Sequence, residues 1–272
     1  MTVAVAETAF DRATAPTAVA RGVFAADCDA GWFAPTGPNG GYLAALVLRA
    51  IEAEVADPGR PARSLTLHYL RAPKAGPVQI SVVTERRGRS TSSMSARLTQ
   101  DGQEMVLALA AFAGDLPTAA QYAGAPPELP EPETLEPVPY IAGAAPAIMQ
   151  QMAMRVAVGP WPFTSGEEAL TGGWLRLAEP RVPDAPLLAC YADAWWPTPF
   201  SRLDRPVGAW TIDLTVHFRA PDAAGRVAAD EPLRAIFRST TSHGGFFEED
   251  GELWSRDGVL LAQSRQHALL RP

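Results

Sequence analysis

The clearest regularity along the chain is a period of two. Ile212, Leu214, Val216 and Phe218 alternate with Asp213, Thr215 and His217, and Met94, Ala96 and Leu98 alternate with polar neighbours. Successive side chains of a strand point to opposite faces, so each run predicts a strand with one buried face. A second period appears after Asn39-Gly40-Gly41, where Leu43, Leu46, Val47, Ala50 and Ile51 recur at helical spacing behind Asn39 as an N-cap. The segment APLLACYADAWWP, residues 185–197, is apolar nearly all round and predicts a buried helix stopped by Pro197.

These elements occur twice. Residues 64–73 read SLTLHYLRAP and residues 212–221 read IDLTVHFRAP, both ending in Arg-Ala-Pro; Arg-Ser-Thr stands at 89–91 and again at 238–240. The offsets are 148 and 149 positions, and Asp101-Gly102 and Asp257-Gly258 supply tight turns between strand-like runs in each copy. A helix leading into antiparallel strands, repeated, predicts an α+β fold. Residues 115–146 hold eight prolines, a composition suited to a connector. The chain therefore divides into a first repeat over 1–114, a Pro-rich linker over 115–145 and a second repeat over 146–272.

Composition narrows the function classes. With 272 residues, 47% of them hydrophobic, the chain can bury a sizeable core, and a net charge of -7 without a basic block argues against nucleic acid or an anionic membrane surface as partner. Cys28 and Cys190 lack metal or redox spacing, so reduced thiols and no metal or other cofactor are expected. No basic leader precedes an apolar stretch and no apolar run is long enough to span a bilayer, which makes the cytoplasm the expected location. The common nucleophile, nucleotide and zinc motifs are missing, and His68, His217, His243 and His267 are scattered without ligand spacing.

Candidate chemistry lies in polar residues stranded on apolar elements. Asp193 stands inside LLACYADAWW, where burial raises a carboxyl pKa toward that of a general base; capping a neighbouring loop is the alternative reading. Gln266 shares a row with Leu260, Ala262, Ser264 and Ala268 and is expected to face inward, where its amide needs partners. Thr211 falls by parity with Asp213, Thr215 and His217, which leaves a solvated face and a wet pocket both open.

These residues, with NGGYLAAL, FRAP and SRDGVLLAQSRQ, give a chain that resembles the acyl-CoA thioesterase II (TesB-like) family. The resemblance implies a double hotdog: two fused hotdog repeats, each an antiparallel sheet wrapped around a central helix. It implies Asp193, Thr211 and Gln266 as the catalytic set, activating water for hydrolysis of acyl-CoA without a covalent intermediate, with Gly40 and Gly41 as candidates for the oxyanion amide. It also implies self-association into at least a dimer. The sequence departs from the family at Trp195 and Trp196, and in a Tyr191–Asp193 spacing one residue tighter than in the best-known members, so acyl size stays open. A hotdog-fold hydratase or dehydratase and a non-catalytic acyl-CoA-binding protein are the alternatives on the same fold.

Overall fold

Both alternating runs become strands in the computed structural model, which describes residues 7–143 and 145–272. The first half holds β1 (Thr17–Ala20), β2 (Val23–Cys28), β3 (Ala62–Tyr69), β4 (Gly76–Arg87), β5 (Thr91–Gln100) and β6 (Gln103–Ala113), with a short helix α1 (Ala9–Ala13) and a long one, α2 (Gly40–Val55). The second half holds β7 (Met152–Val158), β8 (Leu170–Leu177), β9 (Gly208–Phe218), β10 (Leu233–Arg238), β11 (Phe246–Trp254) and β12 (Leu260–Arg271), with α3 (Ala185–Tyr191) before β9. All pair antiparallel in one 13-stranded sheet, in the order β1-β2-β4-β5-β6-β3-β9-β12-β11-β10-β8-β7, with Ser242–His243 as a short extra strand beside β11.

Adding six to each strand of the first half and reversing the order gives the second half, so the duplication is a pseudo-two-fold. Its axis passes through the β3–β9 pair, where Thr66 faces Thr215 and their hydroxyls lie 3.1 Å apart. Those two threonines are 149 positions apart, whereas the Arg-Ala-Pro copies are 148 apart, and the backbone shows why. The amides of Leu70 and Arg71 both donate to Met105 O, while in the second copy Arg219 alone donates to Leu261 O. The first copy thus absorbs one extra residue in a bulge after β3.

α2 exists because Asn39 caps it, accepting from Tyr42 N at 2.9 Å, and because its apolar residues find cover nearly all round: Leu46, Leu48 and Ile51 are completely buried. Side chains of this size each contribute about 2 kcal/mol on burial. The helix lies on the inner sheet face and against α3, and Gly41 is the point of closest approach. A Cβ built there would lie 2.5 Å from Cys190 O, so no larger residue fits without separating the helices. His68 and His217 emerge on the opposite, exposed face of the sheet.

Two expectations need correction. The helix read over 185–197 ends at Tyr191. Past Ala192 the amides of Asp193 and Ala194 reach back only three residues, to Cys190 O and Tyr191 O, and the residue preceding Pro197 is biased away from helical angles. Asp193 therefore sits in the turn beyond the helix. Thr211 departs from its parity because β9 bulges at Ile212: Thr211 pairs with Ala268 and Asp213 with His267, so the alternation reverses and Thr211 joins the inward row of Leu214 and Val216.

The Pro-rich stretch contains a 3-10 turn at Pro132–Thr134 and runs along the second half. Val138 N donates to Met154 O, Trp174 Nε1 donates to Pro130 O, and Arg256 pairs with Glu131 and Glu133. No helix of the described residues is long and apolar enough to cross a membrane.

Candidate active site

The N-terminus of α2, from the first half, meets the turn after α3, from the second. Asp193 Oδ2 accepts from Gly41 N at 3.0 Å and from Asn39 Nδ2 at 3.0 Å, and Asn39 Nδ2 also donates to the Asp193 carbonyl at 2.6 Å. Asn39 cannot turn its amide round, because Oδ1 is engaged as the cap of α2. A helix N-terminus favours an anion, yet the half-buried carboxylate is largely withdrawn from water at the wall of the site, and desolvation is the larger effect. Desolvation pushes the Asp193 pKa up to about 6, against the opposing pull of the Gly41 amide, the Gln266 side chain, the Gly40 amide and Asn39. Such a carboxyl is mostly ionised at neutral pH yet more basic than an ordinary carboxylate, the condition for taking up a proton.

Across from it runs a chain of three side chains. Thr211 Oγ1 donates to Gln266 Oε1 at 2.9 Å, Gln266 Nε2 donates to Glu249 Oε1 at 2.9 Å, and Thr198 N donates to Glu249 Oε2 at 2.7 Å. Glu249 is 4% exposed, and its pKa is pushed up to about 7, first by burial and further by the Asp193 charge. Tyr69 donates its hydroxyl to Gly40 O at 2.7 Å, closing the first turn of α2 from the side.

Asp193, Thr211 and Gln266 all line one cavity of about 510 Å³, a size typical of small-molecule sites. Its apolar wall includes Leu43, Trp195, Phe200, Phe247 and Leu269, and the charged side chains it shares with Asp193 are Arg71 and Arg271. Trp195 belongs to this wall, whereas Trp196 turns away to stack on Trp161 with ring centroids 5.6 Å apart. Gly40 also lines the cavity, and Gly41 contributes its amide to Asp193, so that N–H is committed to the carboxylate in this state. Burial pushes the Cys28 thiol up to about 12 and raises the Cys190 thiol as well, which leaves neither as a thiolate at neutral pH. Among the described residues no group of His, Cys, Asp and Glu side chains gathers in a metal-binding arrangement.

Glu249 escaped the sequence reading although it carries the same signal as Gln266. In FFEEDGELW the inward row is Phe247, Glu249, Gly251 and Leu253, one acid among small and apolar residues. Asn39 was legible as a cap, but its second role is a contact across 154 residues and leaves no local trace.

The sequence profile of the acyl-CoA thioesterase N-terminal domain matches residues 29–113, and that of the C-terminal domain matches residues 132–270. The chain belongs to the acyl-CoA thioesterase family. A hotdog-fold protein of unknown function from Alicyclobacillus acidocaldarius is 30% identical, with a TM-score of 0.88 over 97% of this chain and 98% of that one. A candidate thioesterase II from Thermobifida fusca is 26% identical, with a TM-score of 0.83 over 98% and 99% of the two chains. An uncharacterized protein of Mycobacterium tuberculosis is 26% identical over 91% of each chain. Family membership thus accompanies a double hotdog and supports thioesterase activity in general terms.

Proposed function

We propose that this thioesterase-family protein hydrolyses acyl-CoA to a free acid and CoA, with Asp193 as general base and Thr211 and Gln266 as the groups that hold the attacking water. The observation that carries this reading is convergence. Asp193, Thr211 and Gln266 come from three elements, 18 and 55 residues apart in sequence, and line the same cavity, with Thr211 and Gln266 bonded at 2.9 Å.

In the proposed reaction the substrate carbonyl enters between α2 and β12. Water gives one proton to Asp193 as its oxygen bonds to the carbonyl carbon, and the carbonyl electron pair moves onto oxygen. Negative charge passes from Asp193 to the substrate oxygen, both close to the amides at the start of α2, so the Gly40 and Gly41 end of the helix favours the charge before and after the transfer. Collapse of the tetrahedral species breaks the carbon–sulfur bond, and the proton held by Asp193 goes to the departing thiolate. The raised pKa serves the first half of this cycle, since a carboxylate near 6 accepts a proton more readily than one near 4, and the second half still runs downhill because the departing thiolate is the stronger base.

The test is release of free thiol from a panel of linear and aromatic acyl-CoA esters, wild type against Asp193→Asn. Hydrolysis by the wild type and its loss in the variant are expected. Binding of acyl-CoA without thiol release would replace this reading by that of an acyl-binding protein, and addition of water to a 2-enoyl-CoA by that of a hydratase.

A further inference from the structure

We propose that Glu249 is a positioning residue that sets which way the Gln266 carboxamide faces, and thereby makes Thr211 an acceptor toward the water that attacks the substrate. The inference rests on the hydrolytic reading of the site. It adds a fourth residue to Asp193, Thr211 and Gln266, and a reason for the polarity of the whole chain of bonds.

A carboxamide has a donor end and an acceptor end of nearly equal size, so its neighbours decide its orientation. At Gln266 the decision comes from Glu249. One carboxylate oxygen, Oε2, is already held by the backbone amide of Thr198 at 2.7 Å, and the other, Oε1, can only accept while the group is ionised. It therefore takes Gln266 Nε2 at 2.9 Å. That turns Gln266 Oε1 toward Thr211, whose hydroxyl must spend its single hydrogen on it, at 2.9 Å. What Thr211 then presents to the cavity is a lone pair.

The consequence is chemical. A water lying between Thr211 and Asp193 meets two acceptors, gives one hydrogen to each, and keeps its own lone pairs free for the carbonyl carbon. With the amide reversed, Gln266 would donate to Thr211, the threonine hydrogen would point at the water, and the water would lose one of its two acceptors and have one of its two lone pairs tied up. Glu249 does not line the cavity and is 4% exposed, so it acts through Gln266 and not on substrate. The matching positions of the other half argue the same way. By strand register Glu249 corresponds to Met94 and Gln266 to Ala110, both buried, so the fold needs neither an acid nor an amide at these places.

Glu249→Gln keeps the shape and removes the instruction. The carboxamide introduced by this substitution can satisfy Thr198 N with its oxygen only by presenting its own NH2 to Gln266, which must then reverse. We expect kcat for acyl-CoA to fall on the order of ten- to a hundredfold, the range for a residue supporting a catalytic group, with KM unchanged and Tm within a few degrees of wild type. Glu249→Asp, which retains two acceptor oxygens, should keep more of kcat than Glu249→Gln. In a Gln266→Leu background, where there is no amide to orient, Glu249→Gln should cause no further loss. Unchanged kcat in Glu249→Gln, equal kcat in the Asp and Gln variants, or multiplying losses in the double variant would each overturn the proposal. A wild type that releases thiol from no acyl-CoA would remove the hydrolytic reading instead. Orientation is then read separately, from the side-chain amide NMR signals of Gln266, which should shift in Glu249→Gln; an unmoved signal would refute the orienting role by itself.

Discussion

Replacing Asp193 by Asn separates the role proposed for this residue in hydrolysis from what it costs the fold. Both Gly41 N and Asn39 Nδ2 reach the same oxygen, Oδ2, at 3.0 Å, so an asparagine with its carbonyl in that place keeps both bonds. What disappears is a buried negative charge. A carboxyl raised from 3.8 to about 6 binds its proton more tightly in the folded than in the unfolded chain. Between those pH values the folded state holds more protons, so stability falls as pH rises through the window. About two pKa units at about 1.4 kcal/mol each amount to a penalty of about 3 kcal/mol for the wild type above pH 6, relative to pH below 4. Asp193→Asn has no such penalty. Urea denaturation of both proteins across about pH 4 to 8 should show the variant gaining on the wild type up to about pH 6 and by a constant margin thereafter. Hydrolysis should meanwhile fall on the order of a hundred- to ten-thousandfold, as for loss of a general base. A stability difference that does not change with pH would refute the assigned burial penalty, and full activity in the variant would refute the assigned role.

The wild-type kcat should rise with pH across the range of about 6 to 7 in which Asp193 and then Glu249 ionise and level off above it, and a pH-rate profile lacking a limb in the acid range would contradict Asp193 as base. Thr211→Val keeps the branched shape and removes the hydroxyl; kcat should drop on the order of tenfold or more with little change in Tm, measured by thiol release and thermal denaturation. Gly41→Ala places a Cβ 2.5 Å from Cys190 O and 3.0 Å from Asp193 Cβ, so it should destabilise by about 1–3 kcal/mol and lower kcat as well, read from denaturant midpoints and the same assay. Calorimetry with a non-hydrolysable acyl-CoA analogue should give one site per chain despite the duplicated fold.

Most of the architecture could be read from the sequence because it rests on one-sided burial. Wherever a strand covers α2 or α3 with one face, as at Leu214, Val216 and Phe218, alternation is the direct imprint of that cover, and its recurrence after 149 residues reveals the pseudo-two-fold. What failed to show were events one residue long. The bulge at Ile212 changes no residue type, yet it reverses the facing of everything N-terminal to it, and so parity alone left Thr211 ambiguous. The end of α3 before Asp193 is set by three-residue turns and a contact from Asn39, neither of which alters the apolar run. Gln266 and Glu249 are the opposite case: each is a polar residue in an inward row, a signal that alternation carries in β11 as plainly as in β12.

The two halves also show why one site and not two is expected from a nearly symmetric frame. Counting from the caps Asn39 and Asp184, Asp193 falls level with Leu48; by strand register Thr211, Glu249 and Gln266 answer to Ala62, Met94 and Ala110. All four counterparts are buried and apolar, at 0 to 5% exposure. Where the candidate site has Ala268 paired with Thr211, the first half pairs Ala62 with Phe112, a buried ring at the position where in the second half Ala268 lines the cavity. Converting one copy to plain core removes two buried carboxylates from the places where they would lower stability at neutral pH. The copy that keeps them takes its helix end from the other half, since Asn39 and Gly41 belong to the first repeat while Asp193, Thr211, Glu249 and Gln266 belong to the second. Neither half holds a complete set, and this dependence gives a reason for the two repeats to remain joined in one sheet after their sequences have diverged.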